Sequence, residues 1–389
     1  MSKTEENLTL LEELELEEEQ DLANLNLDEL QTEIEPEGMV DVLVKKANLA
    51  SQKMKELNQK EVDEIVKEMT LAAVENHVEL AQLAYEETGM GVYEDKIAKN
   101  LFAAEYVYND IKDIQTVGVI EENIEEKYVE IAEPVGVIAA LTPVTNPTST
   151  AIYKMLISIK ARNPVIFSFH PGALESCIET ARRLKEAAVA AGAPQNCINW
   201  ISEPSLEATS NLLEHPEVDL ILATGGESMV ESAYSSGKPA LGVGPGNVPC
   251  YIEKTADLKQ AVADLILSKT FDNGMICASE QAVIIDQEVE AEVKGLLKEN
   301  DCYFLSEKEI EKVSDTVIKE GTINPEIVGQ SAYKIAQMAE VEVPEETKIL
   351  IAELEGVGTN YPLSREKLSP VLACYVVDDY QEGIKRAQE

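Results

Sequence analysis

Histidines, basic residues and paired cysteines are scarce in this sequence. Three histidines are present, so a His-rich metal site is excluded. The six cysteines are scattered without a CxxC pair, which argues against a disulfide framework and a structural zinc site. Lys and Arg total 32 against 73 Asp and Glu, a net charge of -41. Such a charge repels nucleic acid and anionic lipid, so we expect no nucleic-acid or membrane partner.

Signals for membrane insertion, for export and for common nucleotide motifs are also missing. The longest apolar runs, such as residues 135–141, are too short to span a bilayer. The first residues lack the basic and apolar regions of a signal peptide, and we therefore expect a cytoplasmic protein with reduced thiols. Neither GxGxxG nor GxxxxGK[ST] occurs, so neither common phosphate-binding fingerprint applies.

The first 38 residues differ from the rest of the chain. They hold many carboxylates and leucines but a single lysine. This composition predicts a solvated, largely disordered tail. An amphipathic segment that docks on a partner is the alternative.

From Met39 onward, the pattern predicts helices and then alternating strands and helices. Helices are predicted at 40–57, 61–86 and 94–111, followed by a hairpin of strands 116–120 and 127–131 around a turn at 121–123. This hairpin either pairs with another subunit or is a plain surface hairpin. Later strands are predicted at 135–141, 165–169, 198–201, 220–223, 248–252, 282–285, 349–352 and 371–377; helices lie between them, with the later ones at 258–270, 288–299, 307–320 and 325–339. Short apolar runs between helices are typical of parallel sheets covered on both faces, so the fold class is α/β.

Cys277 is the first candidate for chemistry. It lies three residues after Gly274 and just before an apolar strand at 282–285. Backbone N–H groups in such a loop can lower the pKa of a thiol and hold an oxyanion. The alternative is that Cys277 is a small buried hydrophobe, as free cysteines often are.

Three further stretches carry polar groups at strand ends. Asn146 lies between two prolines that fix its backbone, so its amide could face a reacting oxygen, or it could be a turn residue or helix cap. A strand runs into Thr224-Gly225-Gly226 at the start of a helix, whose N–H groups can accept phosphates. Many turns contain Gly-Gly, so this signal alone is weak. Glu366 precedes a strand and could accept hydrogen bonds from a ribose.

In combination, these motifs resemble the aldehyde dehydrogenase superfamily. The resemblance runs from about residue 40 to the C-terminus and is strongest for the CoA-acylating branch, the aldehyde dehydrogenase half of bifunctional aldehyde–alcohol dehydrogenases. The stretches that carry it are Glu87–Gly91, Glu133–Val137, Thr142–Pro147, Ala223–Gly225, Gly237–Pro249, Phe271–Cys277 and Glu366–Pro370.

The resemblance implies two Rossmann-type doubly wound domains and a protruding hairpin, residues 116–133, that joins subunits of a homo-oligomer. Residues 39–244 would bind NAD and residues 245–389 would form a C-terminally incomplete catalytic domain. The family's aldehyde dehydrogenase half extends further, with a catalytic-site histidine, before an iron-dependent alcohol dehydrogenase domain. By resemblance, Cys277 is the nucleophile, and Asn146 and the Cys277 N–H form the oxyanion hole. The cofactor-binding residues would be Thr142, Pro143, Thr224, Gly225, Gly226 and, at the nicotinamide ribose, Glu366.

One departure from the family concerns the acceptor of the acyl group. Hydrolytic relatives carry a general-base glutamate in a Glu-Leu-Gly-Gly segment, where this chain has Val243-Gly244-Pro245-Gly246. Without that carboxylate, coenzyme A and not water is the expected acceptor. We expect metal-free interconversion of acetyl-CoA and NADH with acetaldehyde, CoA and NAD through a Cys277 thioester. The alternatives are a related reductase that forms succinate semialdehyde and a non-catalytic assembly module; NADP in place of NAD stays open.

Overall fold

The computed structural model describes residues 36–389. These residues form two compact units. The first comprises residues 36–88 and 97–244, and the second comprises residues 89–96 and 245–389. Residues 1–35, which make up most of the predicted acidic tail, lie outside the described residues; the first helix within the described residues begins at Pro36.

Four helices open the described chain. They are α1 (Pro36–Lys55), α2 (Gln59–Thr88), α3 (Tyr93–Leu101) and α4 (Val107–Ile111). The helix predicted over 94–111 is confirmed as one continuous helical run, in which a π-helical turn, Phe102–Tyr106, lies between α3 and α4. A π turn inserts an extra residue into the helix. Here it accompanies the stacking of Phe102 on Tyr106, with ring centroids 5.3 Å apart.

An antiparallel hairpin follows these helices. Its strands are β1 (Gly118–Asn123) and β2 (Tyr128–Ala132). The turn therefore lies at residues 124–127, later than the 121–123 that the sequence predicts. Asn123 sets it, because its side-chain Oδ1 accepts the backbone N–H of Glu126 at 2.9 Å, and Lys127 adopts a left-handed φ of 60°.

The first unit is built on a five-stranded parallel sheet of order β5-β4-β3-β6-β7. Its strands are β3 (Ile138–Leu141), β4 (Val165–Ser168), β5 (Ile198–Trp200), β6 (Leu220–Thr224) and β7 (Ala240–Val243), and its helices are α5 (Pro147–Lys160), α6 (Leu174–Ala190), α7 (Leu206–Glu214) and α8 (Glu227–Ser235). Ile138 and Ala140 face a core with α2, α5 and α6. Ala139 and Leu141 face a second core with α1, α7 and α8. Both faces are thus covered, which explains the uninterrupted apolar strands.

The second unit repeats this architecture with a parallel sheet of order β10-β13-β14-β9-β8. Its elements are β8 (Val248–Ile252), α9 (Leu258–Thr270), β9 (Glu280–Asp286), α10 (Glu290–Glu299), β10 (Cys302–Phe304), α11 (Glu307–Val317), the hairpin β11 (Ile318–Lys319) and β12 (Thr322–Ile323), α12 (Ala332–Met338), β13 (Ile349–Glu353), β14 (Val371–Val377) and α13 (Tyr380–Gln388). Single 3₁₀ turns occupy Pro171–Ala173, Phe271–Gly274, Gln287–Val289, Pro325–Ile327 and Pro362–Ser364. The two parallel sheets confirm the α/β prediction.

Several boundaries differ from the sequence prediction. Helix α11 ends at Val317, not 320, because Glu320 and Gly321 take left-handed φ values of 52° and 80° and turn the chain into the β11–β12 hairpin. Helix α12 begins at Ala332, where Ser331 caps it, and not at 325. Strands β7 and β10 were not predicted; β7 contains Gly242, a residue of low strand propensity.

Residues 36–389 lack two features, a membrane-spanning helix and a metal-binding cluster. No helix in this range is long and apolar enough to cross a membrane. No group of three or more His, Cys, Asp or Glu side chains in the same range is arranged to hold a metal ion.

Candidate active site

The first unit offers a ligand crevice where its strand order reverses. Strands β4 and β5 lie on one side of β3, and β6 and β7 lie on the other. In open parallel sheets, ligands bind at the carboxyl ends of the strands that flank such a reversal. The paired strands β3 and β6 lead at this edge into Thr142, Pro143, Thr224, Gly225 and Gly226. The fold therefore brings five of the six predicted cofactor residues together.

The N-terminus of α8, which is the positive end of its helix dipole, lies at this edge. Gly226 is the N-cap residue, with φ −65° and ψ 164°, and Glu227 begins the helix. The N–H of Gly225 is used within the sheet, where it donates to the carbonyl oxygen of Val243 at 3.3 Å. The first N–H groups of α8 have no partner inside the helix and favour an anion.

Asn146 lies at the same edge, five residues after the end of β3. It occupies the N-cap position of α5, but its side chain makes no capping hydrogen bond. Its Oδ1 instead accepts a hydrogen bond from the Lys99 ammonium at 2.7 Å, and its Nδ2 donates to the hydroxyl of Thr145 at 3.0 Å. The side chain is therefore held by neighbours other than the helix end, which rules out capping as its task.

In the second unit, the candidate residues lie together at the amino ends of the sheet strands, whereas those of the first unit lie at the carboxyl ends. Strands β8, β9 and β14 are parallel neighbours. Gly246 lies two residues before β8, Cys277 three residues before β9, and Glu366 five residues before β14. Because parallel strands begin at the same edge, these three loops meet there.

Gly246 connects the other two residues. Its N–H donates to the Glu366 carboxylate at 2.8 Å. A methyl group added at Gly246 would overlap the carbonyl oxygen of Cys277 and lie 3.1 Å from its carbonyl carbon. Only a glycine allows this approach, so the thiol-bearing backbone and the carboxylate are fixed to one point.

The loop before Cys277 is shaped by two left-handed residues and a buried ion pair. Asp272 and Asn273 have φ values of 48° and 53°, which Asp and Asn tolerate better than most residues. The buried Asp272 carboxylate accepts the N–H of Val92 at 2.8 Å and lies 3.6 Å from the ammonium of Lys96. Asn273 donates to the carbonyl oxygen of Gly329 at 2.8 Å. The loop is thus anchored on both sides of its turn.

Burial perturbs several titratable groups of the two units. It raises the pKa of Glu366 above its usual range, although the Gly246 N–H opposes the shift. It lowers the pKa of Lys269, fully buried beside Gln281, to about 7. In the first unit it also lowers the pKa of Lys154 to about 7, while its ammonium donates to the carbonyl oxygens of Leu141 and Leu222 at 2.5 and 2.7 Å.

The six thiols differ in their surroundings. Cys277 is half-buried on its loop. Burial raises the pKa of each of the other five, which are Cys177, Cys197, Cys250, Cys302 and Cys374. A raised pKa keeps these thiols protonated and unreactive near neutral pH.

The sequence and the fold were compared with known proteins. Residues 32–353 match the model of the aldehyde dehydrogenase family. The chain belongs to the aldehyde dehydrogenase family. It is 50% identical over 348 residues to an aldehyde-alcohol dehydrogenase of Clostridium acetobutylicum, a match that covers 90% of this chain and 40% of that relative. The chain thus spans less than half the length of the curated relatives it matches first.

Two solved structures give the same result. An acetylating aldehyde dehydrogenase from Geobacillus thermoglucosidasius aligns with a TM-score of 0.88 and 48% identity, over 91% of this chain and 78% of that one. A propionaldehyde dehydrogenase from Rhodopseudomonas palustris, solved with bound CoA and an acylated cysteine, aligns with a TM-score of 0.78 and 28% identity, over 90% of this chain and 79% of that one. The predicted resemblance and the Rossmann-type fold class are confirmed.

Sequence reasoning missed the groups that support the predicted residues. Lys99, Lys96 and Lys269 were not singled out, because a lysine in an otherwise ordinary helix reads as a solvated charge. Gly246 lies inside one of the family motifs, but its contact with Cys277 arises only because the loops before β8 and β9 lie side by side. The Asn146 and Asp272 partners come from positions 47 and 176 residues away, so no local pattern indicates them.

Proposed function

We propose that this chain is an NAD-dependent, CoA-acylating acetaldehyde dehydrogenase that interconverts acetyl-CoA and acetaldehyde. The observation that carries the proposal is the junction of Gly246, Cys277 and Glu366 in a member of the aldehyde dehydrogenase family. The printed names of its relatives, an acetylating aldehyde dehydrogenase and an aldehyde-alcohol dehydrogenase, support the acetyl group and the acceptor.

Cys277 is the proposed nucleophile. In the oxidative direction its thiolate attacks the aldehyde carbon, and the carbonyl oxygen becomes an oxyanion on a thiohemiacetal. The Nδ2 group of Asn146 has two N–H donors, one of which is bonded to Thr145. The second, with the Cys277 backbone N–H, is proposed to hold the oxyanion.

The residues at the edge of the first sheet fit a dinucleotide. The N-terminus of α8 suits its phosphates. Glu366 is proposed to accept hydrogen bonds from the nicotinamide ribose. Bound NAD would accept the hydride that leaves the thiohemiacetal carbon.

Loss of that hydride leaves an acetyl thioester on Cys277. In the proposed final step CoA, having lost its thiol proton to solvent, attacks this thioester as the thiolate, takes the acetyl group and releases the Cys277 thiolate. Water competes poorly, because no carboxylate stands in the Val243–Gly246 run to remove its proton. The acylated cysteine of the relative solved with CoA supports the same sequence of steps here.

The direct test of the proposal is acylation. The full-length protein is incubated with acetyl-CoA, and each cysteine peptide is weighed by mass spectrometry. We expect an acetyl adduct on the Cys277 peptide and none on the five peptides whose thiols have raised pKa values. Cys277→Ser should abolish the adduct, whereas the matched control Cys250→Ser should keep it. An adduct that persists in Cys277→Ser contradicts the assignment.

We propose that the β1–β2 hairpin joins subunits of a homo-oligomer. Both strands expose apolar side chains to solvent: Val119, Val129 and Ile131 are each at least half exposed, and Ile124 in the turn is 83% exposed. Exposed apolar strands with open edges favour pairing with another chain. Light scattering should give a multiple of the subunit mass, reduced by Val129→Glu and unchanged by the surface control Glu130→Gln.

A further inference from the structure

Lys99 defines which end of the Asn146 amide is presented to a ligand. A lysine ammonium has three donors and no acceptor. The Asn146 atom at 2.7 Å from it must therefore be the carbonyl oxygen Oδ1. The amide nitrogen is then turned away from Lys99, with one N–H on the Thr145 hydroxyl. Its second N–H is left for a ligand.

The same lysine is fixed by the backbone next to Asn146. Its ammonium also lies 3.4 Å from the carbonyl oxygen of Thr145. Lys99 and Asn146 are both half-buried, where a charge-assisted hydrogen bond is stronger than in water. The positive charge of the Lys99 ammonium, hydrogen-bonded to Oδ1, withdraws electron density from the Asn146 amide and makes its N–H groups better donors.

We propose that Lys99 is a positioning residue for acyl transfer: it orients the Asn146 amide and polarises it toward the oxyanion. The inference rests on the proposed function. It explains why an asparagine at a helix N-cap, a position where its side chain usually caps, makes no capping bond here.

The test is a double-mutant cycle on the full-length protein with Asn146→Ala and Lys99→Met. The rate of acetyl-CoA reduction is followed as NADH oxidation. Loss of one oxyanion donor lowers kcat by about 10²- to 10³-fold, which we expect for Asn146→Ala. Lys99→Met should lower kcat by at least about tenfold, with KM changed less than about threefold, because it acts on the transition state.

Non-additivity separates positioning from general stabilisation. If Lys99 acts only through Asn146, adding Lys99→Met to Asn146→Ala causes no further loss. Lys99→Arg, which keeps a donor, should recover most of the activity. The control is Lys112→Met, since Lys112 donates to the Oδ1 of Asn109 at 3.0 Å in the same way on the exposed surface; it should match the wild type.

Four outcomes overturn the inference. Wild-type kcat in Lys99→Met, or full multiplication of the two losses in the double variant, removes the link to Asn146. Loss of NADH affinity and thermal stability in both Lys99→Met and Lys99→Arg assigns Lys99 a structural role. A wild type that reduces no acyl-CoA overturns the proposed function itself, and the inference with it.

Discussion

A methyl group at Gly246 should disable the site while leaving the fold intact. In Gly246→Ala the new Cβ would overlap the Cys277 carbonyl oxygen and lie 3.1 Å from the carbonyl carbon. Carbon atoms in good contact are about 3.5–4.0 Å apart, so the carbon–carbon contact alone moves the Cys277 loop or the start of β8 by about 0.4–0.9 Å, and clearing the overlapped carbonyl oxygen needs about 1 Å. A misplacement of that size costs about 10²-fold in rate, and forced overpacking costs about 1–3 kcal/mol of stability.

Gly244→Ala is the matched control, two residues earlier. Its Cβ would meet a single neighbour, the Val230 side chain, at 3.9 Å, an ordinary contact. We expect its stability within ~0.5 kcal/mol of the wild type. The assay is the rate of Cys277 acetylation by acetyl-CoA, followed by mass spectrometry, with thermal unfolding measured in parallel. Wild-type acetylation in Gly246→Ala would refute the claim that this glycine fixes the thiol.

Two further predictions concern buried charges. Burial raises the pKa of Glu366, so its ionisation costs stability as pH rises above 4.5. Glu366→Gln should therefore unfold at a higher temperature than the wild type at pH 7, and at the same temperature well below pH 4.5. It should also bind NADH more weakly, as measured by fluorescence titration. Burial lowers the pKa of Lys154 from 10.5 to about 7, so the unfolded state holds more protons between these values. Wild type should gain stability over Lys154→Met across that window, by at most about 1.4 kcal/mol per pH unit; a constant difference in urea unfolding from pH 7 to 9 would contradict this.

Most strands and most helices follow from periodicity. Helix α9 and strand β14 have the predicted bounds, because Asp257 caps the start of the helix and Pro370 and Asp378 bound the apolar run of the strand. The errors fall where tertiary contacts override local preference. Strand β7 forms around Gly242, which has no side chain to signal a strand but packs under Tyr234 and exchanges hydrogen bonds with its hydroxyl.

The candidate site could be predicted residue by residue but not as an arrangement. Motif spacing singled out Cys277, Asn146 and Glu366. The contacts that hold them cannot be predicted locally, since Gly246 and Glu366 are 120 residues apart and Lys99 is separated from Asn146 by 47. Strand order brings Gly246 and Glu366 together and helix packing brings Lys99 to Asn146, and no local pattern in a single sequence encodes either.

The most direct test of the central claim is the CoA requirement of acetaldehyde oxidation. The full-length protein is mixed with acetaldehyde and NAD, and NADH is counted per active site with and without CoA. We predict about one NADH per site without CoA, because the Cys277 thioester has no efficient acceptor, and sustained turnover once CoA is added. Sustained production of acetate and NADH without CoA would contradict an acylating function.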